Sequence, residues 1–169
     1  MTNLEVQQED SINTKALIAR LGWYTAFYAV SLIGYIGGSQ GLWFWYITLR
    51  RPDWGLPGWG FTIAWTVIYG LMATALWPIW KADSSGKRTA ALWLTGIVLI
   101  LSAAWPWIMF VGHQMIGSWV ESTVLAVVSL VCIFVCWANR PSSGGLMIIQ
   151  FLWSAYLTLL GVGLWILNR

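Results

Sequence analysis

The sequence predicts an all-α fold, an integral membrane bundle of five transmembrane helices with a long lid-like loop between the first two. Three observations lead there. Charge is confined to short breaks: no Asp, Glu, Lys or Arg occurs from Leu21 to Leu49, Trp54 to Trp80, Thr89 to Val120 or Pro141 to Asn168. Hydrophobic residues fill 59% of the 169 positions and charged residues only 9%, too little polar surface to wrap a soluble domain of this size. Finally, 15 residues are Trp. Indole is large, mostly apolar and carries one N–H donor, which suits it to bilayer interfaces and to pockets for flat ligands.

A helix needs about 20 largely apolar residues to cross the hydrocarbon. The charge-free stretches give spans near 18–41, 59–80, 89–111, 117–138 and 145–167, one transmembrane domain over 16–169. Residues 1–15 form a polar acidic tail or short surface helix, with Glu5, Glu9 and Asp10 but no basic residue before Lys15. That is the reverse of a signal-peptide n-region. Lys15, Arg20, Lys81, Lys87, Arg88 and Arg140 fall on the N-terminal side of the bundle, against Arg50, Arg51 and Arg169 opposite, which predicts a cytoplasmic N-terminus. A net charge of +3, scattered along the chain, gives no reason to expect nucleic acid.

In the first span Gly34, Gly37, Gly38 and Gly41 allow another helix, of this chain or of a second copy, to come close. The first connection, about Gly41 to Gly58, is too broken by Pro52, Gly55 and Pro57 to span, yet carries Trp43, Trp45, Tyr46 and Trp54. It reads either as a lid over the bundle mouth or as an aromatic anchor at headgroup depth, with Arg50 and Arg51 facing lipid phosphate or an acidic ligand. The remaining connections are short, so consecutive helices pack antiparallel. Pro106, inside the third span, predicts a kink that frees the Ser102 carbonyl.

Helical spacing aligns Phe61, Trp65, Tyr69 and Met72 on the second helix, Ser102, Trp105 and Met109 on the third, and Gln150, Trp153, Leu157 and Leu160 on the fifth. Three such faces meeting would line an aromatic cavity with a few polar groups, the usual make-up of a small-molecule site. They would serve equally as plain helix–helix packing. Glu121, the one acidic residue within a span, has an interfacial or capping role or a partner. Cys132 and Cys136 share a helix face with no further soft ligand nearby, and read as small buried hydrophobes. No Lys lies within a span to form a retinal Schiff base, and neither a metal cluster nor a nucleophile–base pair is apparent. No cofactor or catalytic residue is therefore expected.

The stretch WYITLRRPDWGLPGWGFTIAWTVIYGLM, residues 45–72, resembles the signature of the TspO, or translocator protein, family, also called peripheral benzodiazepine receptors or tryptophan-rich sensory proteins. Trp45, Tyr46, Leu49, Arg51, Pro52, Trp54, Pro57, Trp59, Trp65 and Tyr69 carry the match. AWPWIMFVGHQM at 104–115 is similar to the family's third-helix end, and Trp153, Thr158 and Trp165 keep its fifth-helix spacing. The resemblance implies a five-helix bundle, commonly a homodimer, that binds porphyrins and other hydrophobic molecules beneath the first loop. It implies a receptor or sensor in tetrapyrrole handling or stress responses, with transport of tetrapyrroles or lipids, or light-dependent oxidative porphyrin breakdown, as alternatives. By position, Tyr46, Trp65, Trp105 and Trp153 would line that pocket, and Arg50 and Arg51 would meet porphyrin propionates or lipid phosphate. The chain departs from the family pattern where Ser102 replaces an Asn, Leu157 a small residue, Gly161 an Asn and Ile63 a Pro. Val162, Gly163 and Ile166 stand where the family's sterol motif needs a Tyr and a base, so no sterol recognition of that kind is expected.

Overall fold

The computed structural model describes residues 3–169, with side chains from Thr14 onward. Five helices account for most of it: α1 (Asn3–Leu42), α2 (Gly58–Trp80), α3 (Gly86–Pro106), α4 (Met115–Asn139) and α5 (Pro141–Asn168). Each contains a segment long and apolar enough to cross a bilayer, that of α1 running from Thr14 to Leu42. Of the tail expected over residues 1–15, Met1 and Thr2 and the side chains up to Asn13 lie outside the described residues, and the backbone is already helical from Asn3.

The helix ends follow local chemistry. Ser85 caps α3 by accepting the Arg88 backbone N–H at 3.1 Å. Arg88 then reaches back to donate twice to the Trp80 carbonyl, at 2.9 and 3.2 Å, covering the C-terminal end of α2. The fourth connection is tighter than its Pro and Gly content suggests. Pro141 opens α5 in the first turn, where its missing N–H costs nothing, and Gly144 continues the helix because Trp137 leaves no room for a Cβ there. At Pro106, α3 gives way to a π-helical turn over Trp107–Val111, in place of a simple kink. His113, at φ 52°, then turns the chain into α4.

The glycines near the C-terminal end of α1 pack within the chain. Gly37 lies under the Trp107 ring and Gly41 against the Phe110 backbone, while the Trp107 indole donates to the Ile33 carbonyl at 3.0 Å. α4 and α5 pack most closely. Ser118, Ser122, Leu125, Ser129, Cys132 and Cys136 form one fully buried stripe on α4, and Met147, Ser154, Leu157 and Leu164 of α5 are also fully buried. Glu121 stands in the second turn of α4, beyond the reach of a cap, with both carboxylate oxygens buried and unpartnered among the described residues.

Candidate functional site

Rings from the first loop and three helices converge near the loop end of the bundle. Phe61 of α2 stacks on Trp105 of α3, centroids 6.0 Å apart and planes 18° from parallel. Trp65, one turn further along α2, lies 6.5 Å from Trp105 and meets Trp153 of α5 edge-on at 5.6 Å. Trp153 stacks on Tyr156 at 5.2 Å. Tyr46 enters from the loop, fully buried, with its edge to Phe61 at 5.5 Å and Phe110 at 5.8 Å. Edge-to-face and offset stacking at these separations stabilise each pair by about 0.5–1.5 kcal/mol beyond area burial.

The polar atoms of the cluster are incompletely matched. The Gln150 amide donates to Ser102 Oγ at 3.2 Å and Ser154 Oγ at 3.3 Å, but its own oxygen accepts nothing. The indole N–H groups of Trp105 and Trp153 and the hydroxyl of Tyr69 are likewise buried without partners among the described residues.

Beside this cluster lies a cavity of about 200 Å³ between α1, α2 and α3. Phe61, Trp65, Tyr69 and Ser102 form its inner wall and Pro106 and Phe110 its end. The outer wall is α1, through Tyr28, Ser31, Tyr35 and Ser39. Thus, of the aromatic-stripe residues singled out in the sequence, Phe61, Trp65, Tyr69 and Ser102 border the void. Tyr46, Trp105, Trp153 and Leu157 pack behind that wall, Leu157 with no exposure at all. Arg50 and Arg51 are exposed on the loop, the Arg51 guanidinium 5.3 Å above the Tyr46 ring.

The α1 contribution escaped the sequence reading. Tyr28, Ser31, Tyr35 and Ser39 recur at helical spacing, and that ladder of hydroxyls on a lipid-spanning helix was the available signal. The partners that fix the loop are long-range and left no local trace. The Asn168 side chain accepts from the Arg50 backbone N–H and donates to its carbonyl, both at 2.9 Å. The Tyr46 hydroxyl donates to the Leu56 carbonyl, and the Tyr156 hydroxyl accepts from the Leu56 N–H, each at 3.0 Å. Trp45 stacks on His113 at 4.4 Å, tying the loop to the α3–α4 turn. Burial, with Tyr156 nearby, pushes the Tyr46 hydroxyl up to about 12 against the opposing pull of Arg51.

Comparison with known proteins agrees with this architecture. The TspO/MBR family profile matches residues 22–166. The membrane protein YtaB of Bacillus subtilis is 24% identical over 148 residues, covering 86% of this chain and 94% of the relative. The tryptophan-rich protein TspO of Bacillus cereus is 26% identical over 146 residues, covering 86% and 91%. A tryptophan-rich sensory protein of Cereibacter sphaeroides is 33% identical over 91 residues, 54% of this chain and 52% of its own. With the profile spanning all five helices and the first loop, the chain belongs to the TspO/MBR family.

Proposed function

We propose that this multi-pass membrane protein is a receptor or sensor that binds porphyrins or related planar hydrophobic ligands, in tetrapyrrole handling or a stress response. The observation that carries this reading is the set of four unpartnered polar atoms, on Tyr69, Trp105, Gln150 and Trp153, within an aromatic cluster that borders a cavity. Leaving a buried donor or acceptor unpaired costs about 1–3 kcal/mol. A ligand with a polar edge and a flat π face would satisfy the Tyr69 hydroxyl on the cavity wall, and the other three atoms lie in the aromatic packing directly behind it.

At about 200 Å³ the cavity is smaller than the roughly 300–1,000 Å³ of most small-molecule sites. A tetrapyrrole therefore needs the outer wall to yield. α1 is suited to that, since only 6% of its spanning window is buried against about 39% for α2, α3 and α5. Interhelical hydrogen bonds in membranes contribute on average about 0.6 kcal/mol each, so widening the α1–α2 seam is inexpensive. In this reading Trp65 grips the ring with Trp153 set edge-on behind it, Tyr46 and the loop close the end, and Arg50 and Arg51 meet a propionate or lipid phosphate.

Trp65→Phe combined with Trp153→Phe is expected to weaken protoporphyrin binding about tenfold or more, the loss of two aromatic contacts of about 0.5–1.5 kcal/mol each. Trp23→Phe, on α1 away from the cavity, should leave it unchanged. Equal affinities for all three proteins by fluorescence quenching would overturn the assignment. Illumination with protoporphyrin under oxygen, followed at the Soret band against a protein-free control, separates binding from breakdown. The homodimer and the cytoplasmic N-terminus belong to the same reading; cross-linking in native membranes and labelling of cysteines placed at either end test them.

A further inference from the structure

We propose that the groove between α1 and α2 at the end remote from the loop is a binding site for an anionic phospholipid. This inference does not depend on the ligand-binding reading above. The groove is an open trough with about 430 Å³ of space. Its floor is made by Ala19, Gly22 and Ala26, small residues at helical spacing on α1, and a Cβ at Gly22 would meet nothing within 4 Å. Its wall is indole. Trp23 lies 6.0 Å from Trp77 and 5.1 Å from Trp80.

These rings are held in place before any lipid arrives. The Trp23 N–H donates to the Ala73 carbonyl at 2.9 Å, and the Phe27 ring braces Trp23 from 5.3 Å. Arg88 grips the Trp80 carbonyl with two hydrogen bonds and lies 5.4 Å over the Trp80 ring. The groove is therefore formed in advance and lined by the residue type that favours the headgroup boundary.

Charge selects the headgroup. Lys81 borders the groove, its ammonium 5.7 Å from the Trp77 centroid. Three indoles alone would form a cage for a choline cation, but here Lys81 and Arg88 already occupy ring faces of Trp77 and Trp80, so a quaternary ammonium meets like charge. The C-terminal carbonyls of α2 would ordinarily repel a phosphate. The Arg88 guanidinium covers the Trp80 carbonyl and removes much of that repulsion. On that side of the membrane the sequence places Lys15, Arg20, Lys81, Lys87, Arg88 and Arg140 against Glu5, Glu9, Asp10 and Asp83, so the basic residues prevail and the field attracts an anionic lipid.

The test is native mass spectrometry of the delipidated full chain in detergent, titrated with phosphatidylglycerol and with phosphatidylcholine. Phosphatidylglycerol is expected to bind about fivefold more tightly, the scale of one favourably placed lysine. Lys81→Gln should abolish that preference. Gly22→Leu, which fills open space and leaves the fold intact by circular dichroism, should weaken both lipids. Lys87→Gln, at the same end but outside the groove, should reduce the preference much less than Lys81→Gln does. Equal binding of the two lipids to the native chain, tighter binding of phosphatidylcholine, an undiminished preference in Lys81→Gln, unchanged binding to Gly22→Leu, or an equal loss in Lys87→Gln would each overturn the proposal. Porphyrin affinity should be the same in all these variants, so this experiment stands or falls apart from the ligand reading.

Discussion

Where α4 meets α5, glycine admits tryptophan: a Cβ at Gly161 would stand 2.8 Å from Trp119 Cβ, and one at Gly144 would stand 2.8 Å from Trp137 Cα. Ser122 and Thr158 join hydroxyls across the same seam at 3.1 Å. Where α1 meets α2, contact is made by long side chains. The Trp23 indole donates to Ala73, the Tyr24 and Thr74 hydroxyls share a hydrogen bond at 2.7 Å, and Tyr28 reaches the Thr66 carbonyl at 3.4 Å. The first seam excludes everything larger than a hydrogen atom. The second leaves both the cavity and the groove. In lipid the hydrophobic effect does not drive helices together, so close backbone approach and dispersion must do so; a seam built on reach instead of closeness is the one that can admit a guest.

The largest test of this contrast is a filled glycine. Gly161→Leu forces a side chain into the Trp119 backbone, where no flexible tip can move aside, and should cost about 3 kcal/mol or prevent assembly. Gly22→Leu on α1 should cost less than about 0.5 kcal/mol, as at an ordinary surface position. Thermal unfolding in detergent measures both, and similar losses for the two would erase the distinction.

Next in size is Tyr69→Phe. The hydroxyl it removes is buried, unpartnered and on the cavity wall. Without ligand the variant should be more stable by about 1 kcal/mol, since an unsatisfied group disappears. If a bound porphyrin satisfies that hydroxyl, affinity should fall about fivefold in the same protein. Stability and affinity moving in opposite directions is the signature of a binding group; a packing tyrosine would show no loss of affinity.

Asn168→Ala tests the loop. It breaks both hydrogen bonds to the Arg50 backbone and should cost about 1–2 kcal/mol locally, read as faster hydrogen exchange over residues 46–57. Tyr46 offers a second readout. Burial favours its neutral form, so the closed loop keeps its full advantage below pH 10, the ordinary tyrosine value, and loses it as pH rises towards about 12. In Asn168→Ala the tyrosinate absorbance of Tyr46 should appear at lower pH than in the parent chain. No change in either measurement would show that the loop is held elsewhere.

Much of this was legible in the chain itself, and the illegible part has a physical pattern. Charge-poor runs located all five helices, α4 in spite of Glu121, because a buried charge in hydrocarbon is costly enough to be rare. The stripes through Trp65, Trp105 and Trp153 identified helices that do converge, since aromatic residues at helical spacing must face something. What spacing does not encode is which side of a ring is empty. Phe61 and Trp65 have filled neighbours on one face and the void on the other, and that depends on how far α1 stands off. The Asn168–Arg50 clamp joins residues 118 apart, and nothing around either position announces the other.

The smallest expected effect bears most directly on how α1 is attached. Tyr24→Phe and Tyr28→Phe each remove one reach-across contact, worth about 0.6 kcal/mol in a membrane, so together they should lower stability by about 1 kcal/mol. Gly70→Ala adds a sensitive control: its Cβ would stand 2.7 Å from the Tyr28 hydroxyl but 3.7 Å from the ring carbon behind it. The flexible tip can swing away, so this change should cost no more than the loss of that one hydrogen bond, whereas the same methyl at Gly161 meets backbone. If Gly70→Ala instead destabilised as strongly as Gly161→Leu in thermal unfolding, α1 would be locked to α2 by packing. The outer wall of the cavity could then not yield to a ring larger than the space now present.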